Sequence, residues 1–389
     1  KNTLRTVSNG GHVYSSNGYD IIFRASDGKT HLDHEIEKYD GTNGTLVAWV
    51  KIPTLYYNQS TQIYMYYGNP GVIFPTANPP GVWSNGFREV WHLHETGGGT
   101  VADSTSSGYT GTVAGNATQG ISGKIGTAVD FDGSAGTRIA LADGSMASNE
   151  TFTFSAWVRA DTLSGEWEGI VTKGRNSDID WQGLWINDGN RLCFGWELPP
   201  GNVDGSVLST GLWYYVVATY DGTNRRLYLD NALNGGPSSG SHSSNINENT
   251  LVAEDVRGSV LDGVIDEVRI SSVARDLCWI QTEYNNQNNP GGFITLGSEE
   301  GPAPTFVKLI SFTATQHEEG ILLRWKTGYE VDNLGFHVYR EEKGQLTRLT
   351  PEPVAGTALL AGSRTALRAG HRYHWWDTSV KGWGDGEIR

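Results

Sequence analysis

FTFSAWVRA (152–160), LCFGW (192–196), LWYYVVATYDG (212–222), RRLYLDNAL (225–233) and LDGVIDEVRISSVARD (261–276) decide the fold of this chain. Each is a short run rich in aromatic and β-branched residues, bounded by turns that carry Gly, Asn or Asp. Such side chains fit a pleated, half-buried surface, and such turns suit tight reversals. VWHLHE (90–95), VADSTSSGYTGTV (101–113), GKIGTAVDFDG (123–133) and GIVTKG (169–174) continue the pattern. The series covers residues 86–299 and carries eight of the fourteen tryptophans. Alternation puts Leu192, Phe194 and Trp196 on one strand face. Trp157 and Trp213, inside apolar runs, are expected in a core.

Composition agrees with a mostly β chain. Fifty-one glycines among 389 residues supply turns, and the length predicts two or three domains, each able to bury its own core. A net charge of -14 with no Lys/Arg cluster argues against nucleic acid, whose phosphates such a surface repels. No apolar run approaches the roughly 18–20 residues of a membrane helix, so a soluble chain without a membrane span is expected. Lys1 is not an initiator methionine, so the chain is expected to be processed or a piece of something longer. Cys193 and Cys278 are too few for a disulfide scaffold and match no metal spacing; buried, unpaired thiols are favoured over a bridge.

Outside the central series the pattern changes. Residues 1–80 read as strands and turns, YDIIFRA (19–25), HLDHEIEKYD (31–40), TLVAWVKIP (45–53) and QIYMYYGNP (62–70), with Asp27-Gly28 a strong hairpin signal. FPTANPPGVWSNGF (74–87), with Pro75, Pro79 and Pro80, reads as a linker. A second boundary falls at SEEGPAPTF (298–306). Beyond it GILLRWKTGYEVDNLGFHVYREE (320–342) and HRYHWWDTS (371–379) give strands around Trp325.

The central motifs, in their order, resemble laminin G-like domains of the concanavalin A-like jelly-roll superfamily. Residues 19–40, 46–55 and 63–70 resemble a bacterial and archaeal family of domains of unknown function (the DUF2341 type), and residues 303–389 resemble a fibronectin type III-like domain. These resemblances imply an all-β chain: a concanavalin A-like jelly-roll sandwich (86–299) flanked by two smaller β-sandwich domains (1–80 and 303–389). They also imply that strands are missing at the outer ends of both flanking domains.

For the laminin G-like family the resemblance implies a structural Ca²⁺ between an Asp in an early turn and an Asp in the I-D-E-V strand. Here those residues are Asp103 and Asp266, with carbonyls of the Ser107-Gly108 turn completing an oxygen shell. The bland alternative is that Asp103 caps its own turn, while Asp266 pairs with Arg269 or faces solvent; Asp132 in FDG is a weaker ligand candidate and reads rather as a turn former. Trp167, Trp181, Trp185 and Trp196 lie in a segment rich in Gly, Asp and Asn, the mixture of flat rings and short polar groups that suits sugar binding. Against this, tryptophans also fill sandwich cores, and at least half of these are expected to be structural.

Catalysis has little support. The E-x-D-x-x-E and E-x-D-x-E patterns of sandwich glycosidases do not occur. Glu166 and Glu168, and Asp266 and Glu267, read as carboxylates on a solvated surface. His92 and His94 alternate as a two-histidine metal face requires, yet lack a third ligand at fixed spacing and read as hydrogen-bonded strand histidines. Asp33, His34, Glu35 and Glu37 read as a charged strand edge that discourages aggregation.

The expectation is a non-enzymatic protein, secreted or at the cell surface of a prokaryote, whose calcium-stabilised jelly roll mediates adhesion to a glycan or surface protein. The alternatives are a subunit of a head-to-tail filament, self-assembling through its terminal domains, and an accessory region of a larger secreted peptidase or glycosidase.

Overall fold

Two eight-stranded antiparallel sheets, packed face to face, form the centre of the protein. The computed structural model describes residues 1–141, 151–173, 182–196, 201–240, 249–255, 257–300, 306–331, 333–356, 366–367 and 371–379. In one sheet Phe152–Ala160 lies between Tyr214–Tyr220 and Asp262–Ser271, and the far end of Asp262–Ser271 pairs with Phe87–Trp91. In the other, Glu168–Lys173, Gln182–Ile186, Arg191–Trp196 and Val203–Val207 follow one another as neighbours.

Between the sheets the side chains alternate inward as the sequence requires: Phe154, Val158, Leu184, Ile186, Leu192, Phe194, Trp196 and Ile265 share one buried cluster. The chain is all-β in class, with a two-sheet sandwich at its centre, as expected.

Trp157 is buried, but not between the sheets. It lies on the outer face of its sheet, with Tyr215, Tyr228 and the partly buried Trp213, beneath a helix, Leu277–Asn288, that contributes Ile280 and Tyr284. Asp276 caps this helix by accepting from Trp279 N, and Gln287 Oε1 accepts from Trp157 Nε1. The helix was not expected.

Residues 1–83 form their own small core of Leu4, Val13, Ile21, Phe23 and Leu32. It lies between a three-stranded sheet and the hairpin of His34–Asp40 with Thr45–Val50. The expected linker is instead packed structure. Val82 and Trp83 are buried, and with Val90, Trp49 and Phe87 they make a cluster that spans the first domain and the jelly roll. Accordingly residues 1–295 are one compact unit and 296–389 another. In the second unit Phe306–His317, Gly320–Val331 and Arg372–Asp377 are paired strands, and Trp325, Ile321, Leu323, Val338 and Tyr373 form its core. No helix among the described residues is long and apolar enough to cross a membrane.

Candidate functional site

Two irregular strands meet where the first domain packs on the jelly roll. In His34–Asp40 the pairing runs Ile36 to Ala48 and then Lys38 to Val47, so Glu37 is the extra residue of a bulge. In Asp262–Ser271 the pairing passes from Asp266 opposite Trp157 to Arg269 opposite Ser155, and Glu267 sits in this second bulge with φ +55°. Bulges re-aim side chains, and a non-glycine residue in the left-handed region costs of order 1–3 kcal/mol that its surroundings must offset. Both bulges turn a carboxylate towards His92.

His92 Nδ1 lies 3.0 Å from each oxygen of Glu267 and 3.7 Å from Glu37 Oε2, and His92 Nε2 lies 3.3 Å from Glu35 Oε2. Each carboxylate is anchored in turn. Glu35 accepts from Trp83 Nε1 (2.5 Å) and Ser104 Oγ (2.6 Å), and Glu37 accepts from Trp49 Nε1 (2.7 Å). Arg269 donates to Glu267 Oε2 (2.6 Å) and Glu283 Oε1 (3.0 Å). Its guanidinium lies 4.5 Å and 4.9 Å from the ring centroids of Trp49 and Trp83, and the Trp49 ring also stacks on His92.

Water is excluded here: His92 and Glu267 are 1% exposed and Asp266 0%. Burial, and then the charge of Glu267, push the Glu37 carboxyl up to about 8. The same two causes, in the same order, hold Asp266 well above the usual carboxylate range. Burial alone would lower His92, but Glu267 and Glu35 carry it up to about 10. Burial likewise opposes the charge on Glu267, yet His92 and Arg269 keep it lowered. Four buried carboxyls thus face one permanent cation and one imidazole.

Several expectations are corrected by this arrangement. Glu35 and Glu37 are not a solvated edge but the contact face of the first domain. Asp266 and Glu267 are not on a solvated surface, and Arg269 pairs with Glu267 rather than Asp266. Glu168 is also buried, its Oε1 accepting from Ser164 N and Oγ, while Glu166 is exposed. His92 is a hydrogen-bonded histidine at the end of its strand, as read.

Asp103 and Asp266, the residues expected to hold calcium, each accept hydrogen bonds from backbone donors. Asp103 Oδ1 accepts from Val90 N and Thr105 N, and its Oδ2 accepts from Thr105 Oγ1 and Tyr109 N, so local donors occupy both oxygens. Asp266 Oδ2 accepts from Ile125 N at 2.8 Å. Gly108 takes the left-handed conformation of its turn, φ +68°. Among the described residues, three or more His, Cys, Asp or Glu side chains converge in one place only, at Glu37, His92 and Glu267. Both cysteines are free, Cys193 buried and Cys278 exposed.

Of the four candidate sugar-binding rings, Trp181 lies outside the described residues. Trp196 is inside the sandwich core at 2% exposure and offers no face to a ligand. Trp185 alternates to the outer face of the second sheet. Its ring lies over Gly183, where a Cβ would meet the ring at 2.6 Å, and it too is only 1% exposed. Trp167, half-buried, meets Trp185 edge-on at 6.4 Å. Nearby polar groups are paired: Asn187 donates to Asp204, and Arg138 pairs with Glu254.

Fold and site together define a two-domain β unit in which a concanavalin A-like sandwich is joined through a buried polar junction to a small β domain. Residues 132–281 match the family described as the concanavalin A-like lectin/glucanases superfamily, and residues 17–83 match a domain of unknown function, DUF2341. No curated protein matches the chain.

Among solved structures, Trypanosoma rangeli sialidase is similar over 52% of this chain and 33% of its own (15% identity, TM-score 0.43). Domain 4 of AbnA, an extracellular GH43 arabinanase from Geobacillus stearothermophilus in complex with arabinotriose, is similar over 51% of this chain and 98% of its own (22% identity, TM-score 0.41). The binding domain of Paraclostridial Mosquitocidal Protein 1 is similar over 68% of each chain (12% identity, TM-score 0.41). The chain therefore spans about a third of the sialidase's length.

Proposed function

We propose that this protein is a non-catalytic carbohydrate-binding module, acting alone or as the accessory region of a larger secreted protein, whose jelly roll takes a glycan on the outer face of its second sheet. The observation that carries the reading is the Trp167–Trp185 pair. A half-buried ring, Trp167, meets the buried Trp185 ring edge-on, and Trp185 lies over Gly183 on the sheet face that also carries Asp204, itself hydrogen-bonded by Asn187. Sugar sites combine flat apolar faces with a few short polar groups, and this face supplies both. The match of residues 132–281 to a superfamily of lectins and glucanases supports the same class of ligand. The C-terminal unit, read as fibronectin type III-like, serves as a spacer.

A glycan array followed by titration of Trp fluorescence tests this. The wild-type chain is expected to bind an oligosaccharide and to leave it uncleaved, and Trp167→Ala to bind at least about tenfold more weakly with its melting temperature within a few degrees of wild type. A blank array, or unchanged binding by the variant, removes the proposal.

A further inference from the structure

The junction between the first domain and the jelly roll has the geometry of a metal site. His92 Nδ1 stands 3.0 Å from Glu267 Oε1 and 3.7 Å from Glu37 Oε2, and a ligand atom from each of the three residues lies within 4.8 Å of the others. Around a tetrahedral zinc ion, ligand atoms about 2.0–2.2 Å from the metal stand about 3.3–3.6 Å from one another, so small adjustments bring these three to bonding distance.

A second observation points to a missing partner. The Glu37 side chain is fully buried and turns Oε2 towards His92, yet its Oε1 has no hydrogen-bond partner. Asp266 Oδ1, next in the chain to Glu267 and 0% exposed, also has none. Buried carboxyl oxygens with no hydrogen-bond partner are costly, and a cation bound at Glu37 satisfies that side chain.

The surrounding groups are those that orient metal ligands. A coordinating histidine ordinarily donates its other ring N–H to a carboxylate. With Nδ1 facing the ion, His92 Nε2–H faces Glu35 Oε2, and Glu35 is itself fixed by Trp83 and Ser104. Trp49 holds Glu37 through Oε2, and Arg269 holds Glu267 through its Oε2. A cavity of about 170 Å³ lined by Glu37, Lys38, His94, Thr96, Gly126 and Thr127 opens beside the unpartnered Glu37 oxygen. The Cβ position of Gly126 is 3.1 Å from that atom.

We infer that His92, Glu267 and Glu37 bind one divalent transition-metal ion, with Glu35 as the outer hydrogen-bond partner, and that the ion clamps the first domain to the jelly roll. An imidazole nitrogen with carboxylate oxygens selects zinc or manganese over calcium, which takes oxygen ligands in larger number. The site is separate from the outer-face tryptophans and stands whatever the jelly roll binds.

Metal-stripped full-length chain titrated calorimetrically with Zn²⁺, Mn²⁺ and Ca²⁺ is the test. One equivalent of Zn²⁺ or Mn²⁺ is expected to bind and to raise the melting temperature. Glu37→Gln keeps an oxygen for Trp49 and is expected to bind at least about tenfold more weakly. Asp132→Asn, far from the junction, is expected to bind as wild type. If Glu37→Gln fails to fold, the Co²⁺ absorption spectrum and X-ray absorption of the wild-type complex report the ligands, and a first shell of nitrogen and oxygen with one imidazole is expected. No saturable binding of Zn²⁺ or Mn²⁺, a first shell without imidazole, or binding that Glu37→Gln leaves unchanged overturns the inference.

Discussion

Asp27 sits at the tip of a hairpin, and its carboxylate accepts from Thr30 Oγ1, Lys29 N and Thr30 N. With the Thr30 side-chain bond as the largest cause, the pKa falls to about 2. Asp132 does the same through Asn116, Ser134 and Thr137, and also falls to about 2. A carboxyl whose folded pKa is depressed contributes stability that is complete above its unfolded value near 4 and is lost as pH falls through the folded value. Both contributions should therefore disappear between about pH 4 and pH 2. Carbon-detected NMR titration is expected to give both carboxyls midpoints near 2, and Asp27→Asn to flatten the fall of unfolding free energy over that window; midpoints near 4 would contradict the geometry. Asp103 shows the same turn chemistry with four donors. This explains why its motif could be read equally as a metal ligand or a cap: the residue type is shared, and only the direction of nearby N–H groups separates the two.

At the scale of the element, Asp262–Ser271 carries most of what was not legible. Its apolar alternation identifies a central strand, and the structure places it there. The bulge at Glu267 leaves no mark in the hydrophobic pattern, because it depends on the register against Phe152–Ala160. Without the bulge, Asp266 and Glu267 read as adjacent carboxylates on opposite faces of an ordinary strand. The helix Leu277–Asn288 was missed for a related reason. Its apolar residues are few and its main signal is a single capping Asp276, so its stability comes from covering Trp157 rather than from periodicity.

Arg269 is where this strand is most exposed to mutation. It is 2% exposed and neutralises Glu267 and Glu283 at once. Removing one partner of a buried ion pair typically costs about 3–5 kcal/mol, because the remaining charge stays buried. Arg269→Met is expected to lose about that much in urea denaturation, and Glu267→Gln in that background to recover part of it. A loss under about 1 kcal/mol would mean that water or rearrangement already screens the pair.

For residues 1–295 as a whole, the strands and the sandwich core follow from local alternation, whereas the junction follows from long-range pairing between residues 35 and 37, 92, and 267–269. Such pairing leaves each segment looking like a charged surface when read alone. It also sets how the unit unfolds. The first domain's own buried core is five apolar residues, Leu4, Val13, Ile21, Phe23 and Leu32, which is marginal for a domain of its size. Nine partly buried apolar residues, among them Ile36, Tyr39, Ile63 and Met65, pack on that core, and Trp49 and Trp83, packed against Val90 and Phe87 and over Arg269 of the jelly roll, add the burial shared between the two domains. Residues 1–85 expressed alone should therefore give a poorly dispersed NMR spectrum, while residues 1–295 melt in one calorimetric transition. Trp83→Ala removes both the packing and the donor to Glu35, so it should split that transition into two, the first domain melting earlier by several degrees. A well-dispersed spectrum for the fragment, or a single unshifted transition in the variant, would show that the first domain holds itself together and that the buried charges at the junction do not couple the two cores.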